Sequence, residues 1–392
     1  MAGMLPTIGG LCALMVVMGV GRFAYTALLP GMMHTYGFGE DVAGIMAAWN
    51  YAGYLIGAVA VRWETPGPRR YVFFALSLLL SVATTAGMGS VTSPAIWHAI
   101  RFLSGFASGA CFVLCSSIVL DTLAMVNRPA LAGLLYSGVG AGIAMGGLVS
   151  GPMESVFGVS GAWRGIAVIS IPFAAVALAG LRPGANRAHL ERGKAKAATV
   201  SAGNDSSKFV ALLFAYFLEG FGYIIGATFL VTLVQGVTNS PETAKAAWVV
   251  TGCAAAVTAP LWRFAAGKAY APAIVKAFVL QGVGMLLPVL SVSVFAAFGG
   301  GLLLGGTFMG LSVLCLQYGV MLSGKPSART IALMTVVYGV GQIIGPIVVA
   351  ATAGKQGFGP AFIISAASLF VAAGIVVIFN GKNSTRRKRC PT

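Results

Sequence analysis

Ala47-Ala-Trp49-Asn-Tyr-Ala-Gly53 returns about 200 residues further on as Ala246-Ala-Trp248-Val-Val-Thr-Gly252. Other matches keep the same order and spacing. Gly19-Val-Gly21-Arg22 pairs with Gly220-Phe-Gly222-Tyr223, and Val113-Leu-Cys115 with Val313-Leu-Cys315. Arg128 followed by Ser137-Gly-Val-Gly140 pairs with Arg329 followed by Tyr338-Gly-Val-Gly341. The chain therefore reads as two copies of one unit. Each matched segment lies in or beside an apolar run of the length that crosses a bilayer, about 20 residues.

Composition agrees. The 392 residues are 58% hydrophobic and only 9% charged, against roughly 25% charged in a soluble domain. So few charges cannot cover a water-soluble globule, and so many apolar residues exclude disorder. Twelve apolar runs lie near 8–33, 42–61, 71–89, 95–120, 131–153, 162–181, 209–235, 244–262, 273–295, 298–322, 330–353 and 360–380. The expected fold is an all-α polytopic membrane protein. Residues 1–181 form one six-helix half and 209–381 the other, with a basic linker at 182–208 and a basic tail at 382–392. Six spans is an even number, so the halves are parallel repeats, an arrangement that in transporters places substrate between them near the midplane.

The net charge of +16 is a matter of topology. With twelve spans, 20 of the 25 basic residues fall on one side, three on the other and two within spans. That asymmetry places both termini and the linker in the cytoplasm of a multi-pass plasma (inner) membrane protein, and it removes nucleic acid as a partner. Five of the six cysteines lie in apolar segments and read as small packing residues. No cluster resembles a metal site, a nucleophile with its base or a phosphate loop, so neither an enzyme nor a bound cofactor is expected. Gly138-x-Gly140 and Gly339-x-Gly341 have no strand before them, and read as close-packing surfaces of spans 5 and 11. Pro152 and Pro346 are expected bending points where a gate moves.

Arg101-Phe-Leu-Ser-Gly105 with Gly109 resembles the fourth-helix arginine motif of the major facilitator superfamily. Gly138, Gly147 and Gly151-Pro152 resemble that superfamily's fifth-helix exporter motif, and Trp163-Arg164 the start of its sixth span. Ser155-Val156 stand where the exporter motif closes with a glycine pair, and Val61 stands where the loop motif between spans 2 and 3 has an aspartate. Gly19-Val-Gly-Arg-Phe-Ala-Tyr25, Trp49-Asn-Tyr-Ala-Gly-Tyr54 and Glu219-Gly-Phe-Gly-Tyr223 look most like the YbfB/YjiJ-type branch. The resemblance implies alternating access by two halves, with spans 1 and 7 facing the cavity.

Charges within spans are expensive and point to function. Arg22 lies near the middle of span 1 and Glu219 in span 7, its repeat equivalent. Helical spacing puts Gly19, Arg22 and Thr26 on one face, and Glu219, Gly222, Tyr223 and Gly226 on another. Two readings stand: a fixed ion pair between the halves, or a pair that breaks while Glu219 exchanges a proton and Arg22 binds an oxygen-bearing group of the substrate. His98 and Arg101, one turn apart, are either a hydrogen-bonded packing pair or part of a proton or substrate relay. Asp121 is expected to form a gate salt bridge with Arg62 or Arg128, and Glu154 to be solvated. Tyr25, Asn50, Tyr51, Tyr54, Tyr223, Gln317, Tyr338 and Gln342 supply polar tips for a substrate site. The leading expectation is a monomeric proton-coupled exporter of a small organic molecule. The alternatives are a symporter importing an organic anion, and a non-transporting receptor or assembly factor on the same fold.

Overall fold

The computed structural model describes residues 3–61, 67–128, 131–183, 205–267, 269–291, 293–323, 327–352 and 357–387. Most of the expected linker, part of the tail and Arg62 lie outside them. A chain this apolar must satisfy its backbone hydrogen bonds internally, which in a single span only a helix achieves. The helices are α1 (Met4–Tyr36), α2 (Glu40–Ala60), α3 (Gly67–Met88) and α4 (Pro94–Met125). The next continuous helix, Ala132–Gly180, is 49 residues long, about 73 Å if straight, more than twice a bilayer core. It breaks at Gly158, where φ is 65° and ψ is 178°. That left-handed position, open to glycine without a Cβ penalty, divides it into α5 and α6. In the second half come α7 (Ser206–Thr238), α8 (Pro241–Ala266), α9 (Tyr270–Leu290), α10 (Val294–Ser323), α11 (Ser327–Thr352) and α12 (Gly359–Arg387). Eleven apolar helices thus supply twelve spans.

The repeat is visible in the packing. A methyl group added at Gly105 of α4 would lie 1.9 Å from the Asn50 carbonyl oxygen of α2. One added at Gly305 of α10 would lie 2.0 Å from the Thr251 carbonyl oxygen of α8. Each half therefore brings its second and fourth helices into backbone contact at corresponding glycines. The halves meet through α5 on α8, α2 on α11 and α1 on α7. Gly140 abuts Gly252 and Ala256, and Gly44 abuts the Pro346 carbonyl. Glycines of spans 5 and 11 lie against neighbouring helices, Gly341 against the Phe217 carbonyl of α7. Gly138 packs on Leu11 of α1, Gly147 on Val249 of α8 and Gly151 on the Lys245 side chain.

Candidate functional site

The site begins with a defect in α1. Met15–Val20 is wound as a π-helix and residues 21–23 as a turn before the α-helix resumes at Ala24. Wider winding frees backbone carbonyls, and such segments collect at functional sites. Two side chains from α4 take them. The Ser104 hydroxyl donates to the Gly21 carbonyl at 2.9 Å, and both Arg101 Nη atoms approach the Arg22 carbonyl at 3.5 Å. Arg101 is also stacked over Tyr25, 4.4 Å from the ring centre. Tyr25 donates to the Ala43 carbonyl of α2, and Asn50 Nδ2 to the Arg101 carbonyl. Arg101, Tyr25 and Asn50 thus brace the interrupted α1 against α2 and α4.

Arg22 emerges from this break almost wholly buried, 1% exposed. Its guanidinium carbon lies 4.5 Å from the Tyr51 ring centre, 4.3 Å from that of Tyr54 and 5.5 Å from that of Phe23. Tyr223 of α7 and Tyr338 of α11 come close to it from the other half. The Tyr54 hydroxyl is also near. Yet Nε, Nη1 and Nη2 make no hydrogen bond. Two hydrogen bonds cross between the halves beside it, one between the hydroxyls of Tyr51 and Thr228 at 2.6 Å and one from Thr26 to the Ala227 carbonyl at 2.6 Å. Gln342 donates to the Tyr223 hydroxyl, and Tyr223 stacks between Phe308 and Tyr338.

Glu219 is 0% exposed and neither carboxylate oxygen is hydrogen-bonded. The expected pairing with Arg22 is absent. Among the described residues the ion pairs are Arg70–Asp121, Lys208–Asp205 and Lys245–Glu154. The shared cavity face expected on α7 divides as well. Tyr223 points toward Arg22, whereas Gly222 packs on Ser368 and Leu369 of α12, and Gly226 on Met285 and Leu304. Glu219 goes with these glycines into the interior of the second half, beside Gln281 of α9. α7 is buried on most sides, so helical spacing alone could not say which neighbour its polar residue meets.

Other candidates are placed apart. Gln317 accepts a hydrogen bond from Tyr270 at 3.1 Å, nearer the terminal end of the bundle than Arg22. No hydrogen bond joins His98 to Arg101, and His98 Nε2 has no partner. Asp121 pairs with Arg70 at 3.0 Å, within the first half, and not with Arg128, while Arg62 lies outside the described residues. Glu154, expected to be solvated, pairs with Lys245 of α8 at 2.6 Å with both side chains mostly covered. A methyl group at Gly31 of α1 would fall 1.8 Å from Glu154 Oε1. The carboxylate therefore closes onto α1 and onto the opposite half at the end of the bundle away from the termini. Phe23, Gln281, Lys245 and Ser104 are contributors the sequence reading did not single out. An amide in the apolar run 273–295 was the visible signal for Gln281. No group of three metal-ligating side chains occurs among the described residues.

Two parallel six-helix halves that meet around an unpaired buried cation form the architecture of a membrane transporter. The chain belongs to the family described as "Uncharacterised MFS-type transporter YbfB", whose model matches residues 14–377. The fold resembles the solved structure of a mutant of the nucleoside transporter NupG, with a TM-score of 0.70 at 15% identity. That likeness covers 96% of this chain and 99% of the other. No curated protein matches the sequence.

Proposed function

We propose that this protein couples the movement of a proton to that of a small organic anion, by alternating access of its two halves. The observation that carries the reading is Arg22. Three aromatic rings surround the buried guanidinium, and their faces offset part of its charge. Its nitrogens remain without acceptors. A planar fork of unused donors suits a carboxylate or a similar oxyanion. Glu219 is the proton carrier in this reading, because taking up a proton removes the charge of an uncompensated buried carboxylate. The basic-residue asymmetry supports cytoplasmic termini in a plasma (inner) membrane. The path lies within one chain, so a monomer suffices.

Arg22 and Glu219 occupy separate places, which favours simultaneous occupancy and therefore symport. The second reading, proton-driven export, is favoured by the α5 glycines that seat this helix on α1 and α8. In that reading the fifth helix works as a hinge between the halves. Full-length protein in liposomes with a luminal pH dye, given inward gradients of organic anions, cations and neutral compounds, separates the two. Symport predicts luminal acidification with anions alone. Antiport predicts alkalinisation, and the absence of any response would support the receptor reading instead. Arg22→Gln should weaken anion binding about 10- to 100-fold, the scale of one charged hydrogen-bond set.

A further inference from the structure

We infer that Gln281 is the positioning partner of Glu219, an amide that serves the carboxyl group in both of its protonation states. This rests on the proposal that Glu219 carries the coupling proton, and adds the device that makes such exchange possible in a dry interior.

Gln281 on α9 is 0% exposed, and neither its Oε1 nor its Nε2 has a hydrogen-bond partner. It lies beside Glu219, close enough for the two side chains to interact, though neither Glu219 oxygen has a fully formed hydrogen bond. Four orphaned polar atoms on two adjoining side chains are a large liability, because a buried polar group without a hydrogen bond costs about 1–3 kcal/mol. The walls cannot relieve it. Gly226 packs on Met285 and Leu304, Gly222 on Leu369, and Gly282 on the Phe370 ring. Ser365 and Ser368 of α12 are already committed, to the carbonyls of Gly222 and Ser365. The titratable groups facing Glu219 are Tyr216 on its own helix, Cys315 on α10 and Tyr338 on α11. Among the described residues, no lysine or arginine lies within ion-pair distance of it.

The chemistry of the amide resolves the arrangement. A carboxylate only accepts hydrogen bonds, whereas a carboxylic acid also donates one. Glutamine offers both a donor and an acceptor at the end of a soft terminal torsion. Turned one way, Nε2 donates to the carboxylate. Turned the other way, Oε1 accepts from the acid. A lysine here would fix the ionised form, and a leucine would serve neither. The second half therefore carries a proton site of its own, behind Tyr338, and the anion at Arg22 does not have to displace the proton.

The test does not require knowledge of the substrate. Infrared difference spectra of the full-length protein in lipid vesicles, recorded between pH steps, contain the carboxylic-acid C=O band of Glu219, assigned by its loss in Glu219→Gln. In Gln281→Leu the band should rise in frequency, because the acid loses its acceptor. Its titration midpoint should rise by about one pH unit or more, because the carboxylate loses a charged hydrogen bond. Gln281→Met, closer to glutamine in shape, should do the same and replaces the leucine variant if that one fails to fold. A Glu219 band unchanged in frequency and midpoint in a folded Gln281 variant overturns the inference while leaving the proton assignment intact. If no titrating band depends on Glu219 at all, the proton assignment falls and the inference falls with it.

Discussion

Arg22 and Glu219 are equally buried and occupy neighbouring turns of repeat-related helices, but their surroundings differ in kind. Arg22 sits where the halves touch, with Tyr51 and Tyr54 from its own half and Tyr223 and Tyr338 from the other. Glu219 sits inside one half, against α9, α10 and α12. The repeat aligns Arg22 with Tyr223 and Glu219 with Met18. Duplication thus left a charge on only one side of each equivalent pair. A group at the contact between halves changes its environment whenever they rock apart. A group within a half keeps its neighbours. That difference suits Arg22 to a ligand that must enter and leave, and Glu219 to a proton that must be held.

The largest expected effect tests this division directly. Glu219→Gln should lower pH-driven accumulation at least about 100-fold, the usual loss when a proton-transfer group is removed, while anion binding persists. Arg22→Gln should instead abolish binding at low anion concentration and leave the Glu219 infrared band in place. If the double variant regained pH-driven transport, the two would be a structural pair after all and the comparison would collapse.

Packing provides the next contrast. A methyl group at Gly142 would meet backbone on α1, lying 2.4 Å from the Met15 carbonyl oxygen and 2.7 Å from the Gly19 Cα. At Gly226 it would meet the Met285 thioether, 2.6 Å from the sulfur. Gly142→Ala should cost about 1–3 kcal/mol, seen as a lower midpoint of thermal unfolding in detergent. Gly226→Ala should cost less, because a methionine end can turn aside. Equal losses would mean that the surroundings of Arg22 are no more rigidly set than those of Glu219.

A smaller effect is expected at the Glu154–Lys245 pair, which ties α5 to α8. Glu154→Gln should favour separation of the halves at that end by about 1 kcal/mol, since the pair is only partly covered. A cysteine at Thr26 would then react roughly three- to tenfold faster with a membrane-impermeant thiol reagent. Cys315, beside Glu219, should not change. Acceleration at both sites would show that the second half does not move as a unit.

The smallest effect concerns the start of α7. The Asp205 side chain caps this helix by accepting from the Lys208 backbone N–H, and its carboxylate pairs with Lys208 Nζ at 2.9 Å. The Lys208 side chain holds the Asp205 carboxyl below the ordinary carboxylate range. Because its folded-state value is depressed, this contribution is complete above the unfolded carboxylate pKa and lost as pH falls through the folded one. Asp205→Ala should cost about 0.5–1 kcal/mol near neutral pH and nothing in strong acid, without shifting the Glu219 titration.

Sequence alone determined the parts of this protein that depend on local chemistry. Apolar runs fixed the spans, the order of matched segments fixed the two halves, and the glycines of spans 5 and 11 pointed to close-packing helices. The rarity of charge inside spans singled out Arg22, Arg101 and Glu219. Tertiary structure decided whatever required knowing which sides of two helices meet. Glycine, serine and threonine on every side of α7 left its polar face ambiguous, so only packing turned Glu219 toward Gln281 and away from Arg22. The partners of Asp121 and Glu154 were likewise hidden. A long charged side chain can choose among several neighbours within reach, and helix placement set the choice. The π-helical turn before Arg22 was also illegible in sequence, because Met15-Val-Val-Met-Gly-Val20 contains no proline to announce it. It is held by Ser104 and Arg101 of α4, 83 and 79 residues away in the chain from the carbonyls they meet.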